Sequence, residues 1–137
     1  MSNALIINKS GFSKIELLTN KILSQPQDSS YPAPIPRGTI HKEVISMGGG
    51  QKLQLIYGQL MLGSDTAEAG STQTISIIIN DETITLSSGY RNAHSSYTHQ
   101  FIKIFDEPID CDSVTFQFGG TDDERKWEGK IFFYGFK

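Results

Sequence analysis

On both sides of Asn80-Asp81 every second residue is apolar: Ile75, Ile77 and Ile79 come before it, Ile84 and Leu86 after, with Thr74, Ser76, Thr83 and Thr85 beside them. A period of two belongs to a strand with one buried face, and a two-residue loop joins two such strands tightly. The pattern predicts a hairpin in which Ile79 pairs with Glu82, Ile77 with Ile84 and Ile75 with Leu86. Ile75, Ile77, Ile84 and Leu86 then share one face and the threonines and Ser76 the other.

From Thr39 onward, β-branched and aromatic runs alternate with glycine-rich or acidic turns, which predicts strands near 40 to 46, 51 to 62, 72 to 80, 82 to 88, 97 to 105, 113 to 118 and 127 to 136. MGGG at 47 to 50 and GSDTAEAG at 63 to 70 are turns. In QKLQLIYGQLML, Leu53, Leu55 and Tyr57 have one parity and Leu60 and Leu62 the other. A β-bulge beside Gly58 would supply the slip. The final run, KWEGKIFFYGFK, is apolar on both parities, with Ile131 and Phe133 on one and Phe132, Tyr134 and Phe136 on the other. Such a strand is either central and covered on both sides or pressed against a partner chain.

The first part of the chain follows a different rhythm. Ala4 to Ile7 fits a short edge strand. Ser13-Lys14-Ile15-Glu16 has the form of a capping box, and Ile15, Leu18 and Ile22 follow at i, i+3 and i+7. These features predict an amphipathic helix from Lys14 to Ser24, ended by Pro26. Four of the five prolines, Pro26, Pro32, Pro34 and Pro36, then lie in QPQDSSYPAPIPRG, an extended connector expected to have no packing of its own. The expected division is an arm over residues 1–38 and a β-sandwich over 39–137. A three-turn helix is marginal alone, so its stripe must bury against its own domain or a neighbour. Ile15, Leu18, Ile22, Tyr31 and Phe136 are the expected interface residues.

The fold class is therefore all-β: a two-sheet antiparallel sandwich, jelly-roll-like, with a short N-terminal helix and a proline-rich connector. An immunoglobulin arrangement is disfavoured, because Cys111 is the one cysteine and Trp127 follows it. A length of 137 residues suits one domain with a sizeable core. No apolar run approaches the about 20 residues that cross a bilayer, so membrane insertion is not expected. MSNALIINKSGFS has neither a basic start nor a long apolar stretch, so synthesis in a cytoplasm without a signal peptide is expected. With a net charge of -3 and scattered cations, nucleic acid is an unfavourable partner.

Candidate chemistry is sparse. His94 and His99 are five apart, a spacing that suits neither a strand nor a helix metal pair, and His41 is distant. Asp110 and Asp112 flank Cys111 and disfavour its thiolate. The acidic residues Asp106, Glu107, Asp110 and Asp112, with Asp122, Asp123 and Glu124, would meet a calcium ion only if their loops converged, and they lack the spacing of a calcium loop. No hydrolase motif is present. Neither catalysis nor a metal or other cofactor is expected. SGYRNAHSSYTHQ remains, at 88 to 100, as an exposed loop at one end of the sandwich. Tyr90 and Tyr97 offer flat faces, and Arg91, Asn92, His94 and His99 offer directional hydrogen bonds, a mixture that suits a sugar or a protein surface. A plain polar loop is the competing reading.

The closing segment Gly129-Lys130-Ile131-Phe132-Phe133-Tyr134-Gly135-Phe136-Lys137 resembles the last strand of phage tail-fibre and virion β-sandwich proteins, and Asp112 to Phe118 resembles the strand before it. The resemblance covers residues 112 to 137 and carries over no binding residue. It implies a noncatalytic sandwich for assembly or host attachment, often trimeric. The leading expectation is a virion structural or attachment protein that self-associates, preferably as a trimer, and contacts neighbouring virion proteins or a cell-surface glycan. A lectin-like carbohydrate-binding module outside any virus is the alternative, and a small enzyme the third.

Overall fold

The computed structural model describes residues 14–24 and 35–137. Among them are eight strands and no helix: β1 (Glu16–Ser24), β2 (His41–Ser46), β3 (Lys52–Gly63), β4 (Ser71–Ile79), β5 (Glu82–Arg91), β6 (Ser96–Asp110), β7 (Ser113–Gly120) and β8 (Lys126–Phe136). They form two antiparallel four-stranded sheets, β1-β8-β3-β6 and β2-β7-β4-β5. Only the β4–β5 connection stays within one sheet, and every other connection crosses the sandwich. That order is the jelly roll expected from the strand pattern.

The single within-sheet turn is the hairpin read from the alternation. Asn80 and Asp81 both have positive φ, 50° and 68°, which matches the right-handed twist of the flanking strands. Ile79 pairs with Glu82 and Ile77 with Ile84 as expected, but Ile75 lies opposite Ser87. An extra residue at Leu86 causes the difference, and both Leu86 and Ser87 end up partly buried.

The expected helix at Lys14–Ser24 is instead strand β1, on the edge of the first sheet and paired with β8. Its apolar residues serve two faces. A register shift between Leu17 and Thr19 leaves Leu17 outward opposite Tyr134, while Leu18 and Leu23 pack toward the core. Spacings of three and four fit one helical stripe or a bulged strand equally, and the open edge of β8 decides between them. Residues 16–24 are thus part of the sandwich. The described end of the connector is anchored, since Ile35 is buried and exchanges two backbone hydrogen bonds with Glu124, of 2.8 and 3.0 Å, while residues 25–34 lie outside the described residues. The strand expected at residues 4–7, and Tyr31, lie outside the described residues.

The slip in β3 is real but falls at Gln54, between Leu53 and Leu55, and not beside Gly58. From Ile56 onward one parity, Ile56, Leu60 and Leu62, faces inward. Gln54 is itself buried, with its amide donating to the Phe105 carbonyl. Gly58 has another role. A Cβ there would lie 2.4 Å from the Lys130 carbonyl oxygen, and one on Gly129 would lie 2.1 Å from the Gln59 carbonyl oxygen. The two glycines allow β3 and β8 to approach closely at the middle of the sheet.

Between the sheets, Ile56, Leu60, Ile131, Phe133 and Phe101 meet Ile75, Ile77, Val114, Phe116 and Phe118. Aromatic contacts cross the gap: Phe101 to Phe116 at 6.0 Å, and Phe118 to Trp127 edge-on at 5.9 Å. A Gly129→Ala substitution should cost about 2–3 kcal/mol, because the added carbon meets backbone that cannot rotate aside. Urea unfolding of the variant measures that loss, and an unchanged midpoint would contradict the close approach.

Candidate functional site

The stretch 88 to 100 is less of a loop than its composition suggests. Ser88 to Arg91 complete β5, Ser96 to Gln100 begin β6, and only residues 92–95 connect the two sheets. The turn is held by His94, whose φ is 55° and whose backbone N–H donates to the Ala67 carbonyl at 3.1 Å. The His94 ring donates through Nδ1 to the Asp65 carbonyl at 3.0 Å.

Burial divides the six expected ligand-binding residues. Arg91 and His99 point inward and are buried, whereas Tyr90, Asn92, His94 and Tyr97 are exposed. Tyr90 lies on the outer face beside Gly70, while Tyr97 covers Gly89, an inward position of β5, and meets His99 edge-on at 4.7 Å. The two tyrosines therefore do not face one another across a common pocket.

The buried members form a polar network linking the sheets. Glu124 Oε1 accepts from Arg91 Nε at 2.9 Å and from the Gln73 amide at 2.8 Å. The Arg91 guanidinium also donates to the carbonyls of Ala69, Asn92 and Asp123. With its amide nitrogen committed to Glu124, Gln73 offers Oε1 to His99 Nε2–H at 2.9 Å. His99 Nδ1 is then the acceptor for the Ser87 hydroxyl at 2.8 Å. Every donor in this chain points toward the carboxylate. Glu124 Oε2, beside Gly120, is buried without a hydrogen-bond partner.

Burial pulls the His99 pKa down from 6.5 to about 4, so the ring is neutral at pH 7, as this donor order requires. The Ser87–His99 pair superficially matches a nucleophile and its base. Two depressions on the outer faces of the sheets are lined by other residues and include neither Ser87 nor His99.

Sequence reading missed Gln73, Ser87 and Glu124 as members of this cluster. Glu124 belongs to the acidic run in sequence, yet the other acids of the run take other partners: Asp122 contacts Arg37 at 3.2 Å, Asp123 contacts Arg125 at 3.1 Å and Asp110 contacts Lys52 at 2.8 Å. The Asp123 backbone N–H, and then the Arg37 charge, hold the Asp122 carboxyl below its usual pKa. His41 sits apart, 3.0 Å from Glu43. Among the described residues no three His, Cys, Asp or Glu side chains converge. Burial raises the Cys111 pKa, and Asp112 and Asp110 raise it further, as the flanking charges led one to expect.

The feature that stands out lies on the outer face of the first sheet. Register places Ile22, Lys130, Gln59 and Gln100 in one row across the four strands. The next row is Asn20, Phe132, Tyr57 and Ile102, and the third is Leu17, Tyr134, Leu55 and Ile104. Ile22 is 65% exposed, Ile102 62% and Tyr57 50%, and Tyr57 stacks on Phe132 at 5.8 Å. Together with Gln59 and Gln100 they line a shallow depression of about 760 Å³. The outer face of the second sheet is different: its rows are Lys42, Gln117, Ser76, Thr85 and Val44, Thr115, Ile78, Thr83. Of the five expected interface residues, Ile22 and Phe136 lie on the outer side of the first sheet, Leu18 packs toward the core, and Ile15 is half-buried.

No family model matches this sequence, and neither does any curated protein. The fold has solved relatives. A structure of infectious bursal disease virus, Gx strain, is similar with a TM-score of 0.54 at 12% identity, covering 86% of this chain and 32% of that one. Dimeric latent PorU from Porphyromonas gingivalis is similar with a TM-score of 0.52 at 9% identity, covering 89% of this chain and 13% of that one. The chain thus spans a third or less of either protein's length, and at these identities the likeness is one of fold. At the level of fold, the virion-type sandwich that residues 112 to 137 resemble is shared with the infectious bursal disease virus structure.

The network makes two predictions. Removing the Glu124 carboxylate strands a buried Arg91, so Glu124→Ala should lower the unfolding free energy by about 3–5 kcal/mol in a urea titration. His99 binds its proton more readily unfolded than folded. Stability should therefore be intact above pH 6.5 and fall as the pH drops toward 4. Between roughly pH 7 and 4.5 the wild type should lose roughly 2–3 kcal/mol more than His99→Gln, and equal losses would exclude His99 as the source.

Proposed function

We propose that this chain is a noncatalytic virion-type β-sandwich module that works by surface contact, with the outer face of the first sheet as its contact surface. The observation that carries the reading is that face: Ile22, Tyr57 and Ile102 stand half or more exposed among Leu17, Phe132 and Tyr134. Soluble monomers rarely leave a contiguous apolar patch of this kind open to water, and such patches mark interaction sites. The buried, fully engaged Arg91 and His99 support a structural reading of the polar residues in 88 to 100 over a catalytic one.

The face fits assembly with neighbouring virion proteins better than host attachment through 88 to 100, where Tyr90 and Tyr97 point to different sides. Glycan attachment would need a surface that gathers those tyrosines together. Placement in a virion follows from the same reading.

The test is co-expression with the products of the neighbouring genes. Tyr57→Lys with Ile102→Glu should fold normally and be excluded from assembled particles at least about tenfold relative to wild type, a loss of about 1.4 kcal/mol or more in association. Incorporation that survives both changes, or a substrate turnover abolished by Ser87→Ala, would end the proposal.

A further inference from the structure

We infer that the outer face of the first sheet pairs with the same face of a second copy of this chain, about a two-fold axis that runs along the strands between β8 and β3. The inference rests on the contact reading above and names its partner.

The symmetry is argued from the three rows. A two-fold axis along the strands keeps each row level with itself and exchanges β8 with β3 and β1 with β6. Phe132 then meets Tyr57 of the second copy, Tyr134 meets Leu55, and Leu17 meets Ile104. Lys130, the one charged residue in the three rows, meets Gln59 of the second copy and not another lysine. An axis perpendicular to the strands through the middle row would instead seat Lys130 on Tyr134 and Gln59 on Leu55, desolvating an ammonium and an amide against apolar groups. The same operation sets Asn20 against Ile102 and Ile22 against Gln100 on the edge strands, so the fit to its own copy rests on the two central strands, where apolar meets apolar and the ammonium meets an amide. The resulting layers are aligned sheets, a common way for two β-sheets to pack.

Area sets the strength. Four strands about 4.8 Å apart and three rows about 6.8 Å apart give a footprint of roughly 300–400 Å² per copy. Two copies would bury on the order of 800 Å², below the about 1,200 Å² of a standard stable interface. The pairing is therefore weak and concentration-dependent, with a Kd in the range of about 10 μM to 1 mM.

Sedimentation equilibrium of the full chain up to about 2 mM tests the inference. Wild type should pass reversibly from monomer to dimer. Tyr57→Lys and Ile102→Glu, both at exposed positions and with an unchanged thermal midpoint, should each raise the Kd at least about tenfold. Val44→Lys and Tyr90→Lys, on the outer face of the second sheet, should leave it unchanged. The inference is overturned by a chain that stays monomeric throughout, by a trimer as the limiting species, or by a dimer that is lost with the Val44 change and kept with the Tyr57 change. If the chain is monomeric yet Tyr57→Lys still abolishes particle incorporation, the face contacts a different protein: self-pairing fails while the contact reading stands. Loss of neither association nor incorporation would remove both.

Discussion

A strand cannot choose its two faces independently. Once every second residue is committed to the core, the residues between them are committed to the opposite side, and this two-residue constraint governs the whole molecule. In β8 the inward set of Trp127, Ile131 and Phe133 forces Phe132, Tyr134 and Phe136 outward. In β3 the inward set of Ile56, Leu60 and Leu62 forces Tyr57 and Gln59 outward. Because these strands are neighbours at the centre of one sheet, their outward residues come together as an apolar face. The second sheet obeys the same rule with mostly Thr, Ser and Gln in the outward places of its middle strands, and Val44, Ile78 and Tyr90 are separated by them, so its outer face is more polar. The asymmetry between the two outer faces of the sandwich is written in those outward positions.

Bulges are where the constraint is renegotiated. The extra residue at Gln54 restores the inward parity of β3, the one at Leu18 lets β1 serve both the core and the outer face, and the one at Leu86 turns Ser87 toward His99. The last of these connects local backbone geometry to the buried network. With Ser87 inward, His99 finds a donor for one nitrogen and Gln73 an acceptor for the other, and the chain ends at the carboxylate that neutralises Arg91. A buried guanidinium is tolerated only with that full set of partners. The polar residues that looked like chemistry thus hold the two sheets together at one end.

Seven of the eight strands were legible in the sequence because amphipathic alternation is a local property, and the Asn80-Asp81 hairpin was legible to the residue through Ile77 and Ile84. β1 was not, because Ile15, Leu18 and Ile22 satisfy a helical stripe as well as a bulged strand, and the choice lay with an edge 108 residues away along the chain, where Ile22 pairs with Lys130. The positions of the bulges were likewise hidden. A slip in β3 was visible from its parity, but its place at Gln54 depends on the buried partner that Phe105 provides. Of the candidate site, the residue types were visible and their destinations were not: Arg91 looks the same in sequence whether it meets a ligand or Glu124.

What the sequence by itself determined is the fold class, an all-β chain, and the two apolar parities of its last strand. Those follow from composition and a period of two, which any stretch of chain carries within itself. Tertiary structure alone decided which strands lie side by side, and so which outward residues share a face and which polar groups share a buried network. Sheet neighbours such as Tyr57, Phe132 and Ile102 are brought together by backbone hydrogen bonds between strands distant in sequence, and no local pattern encodes that choice.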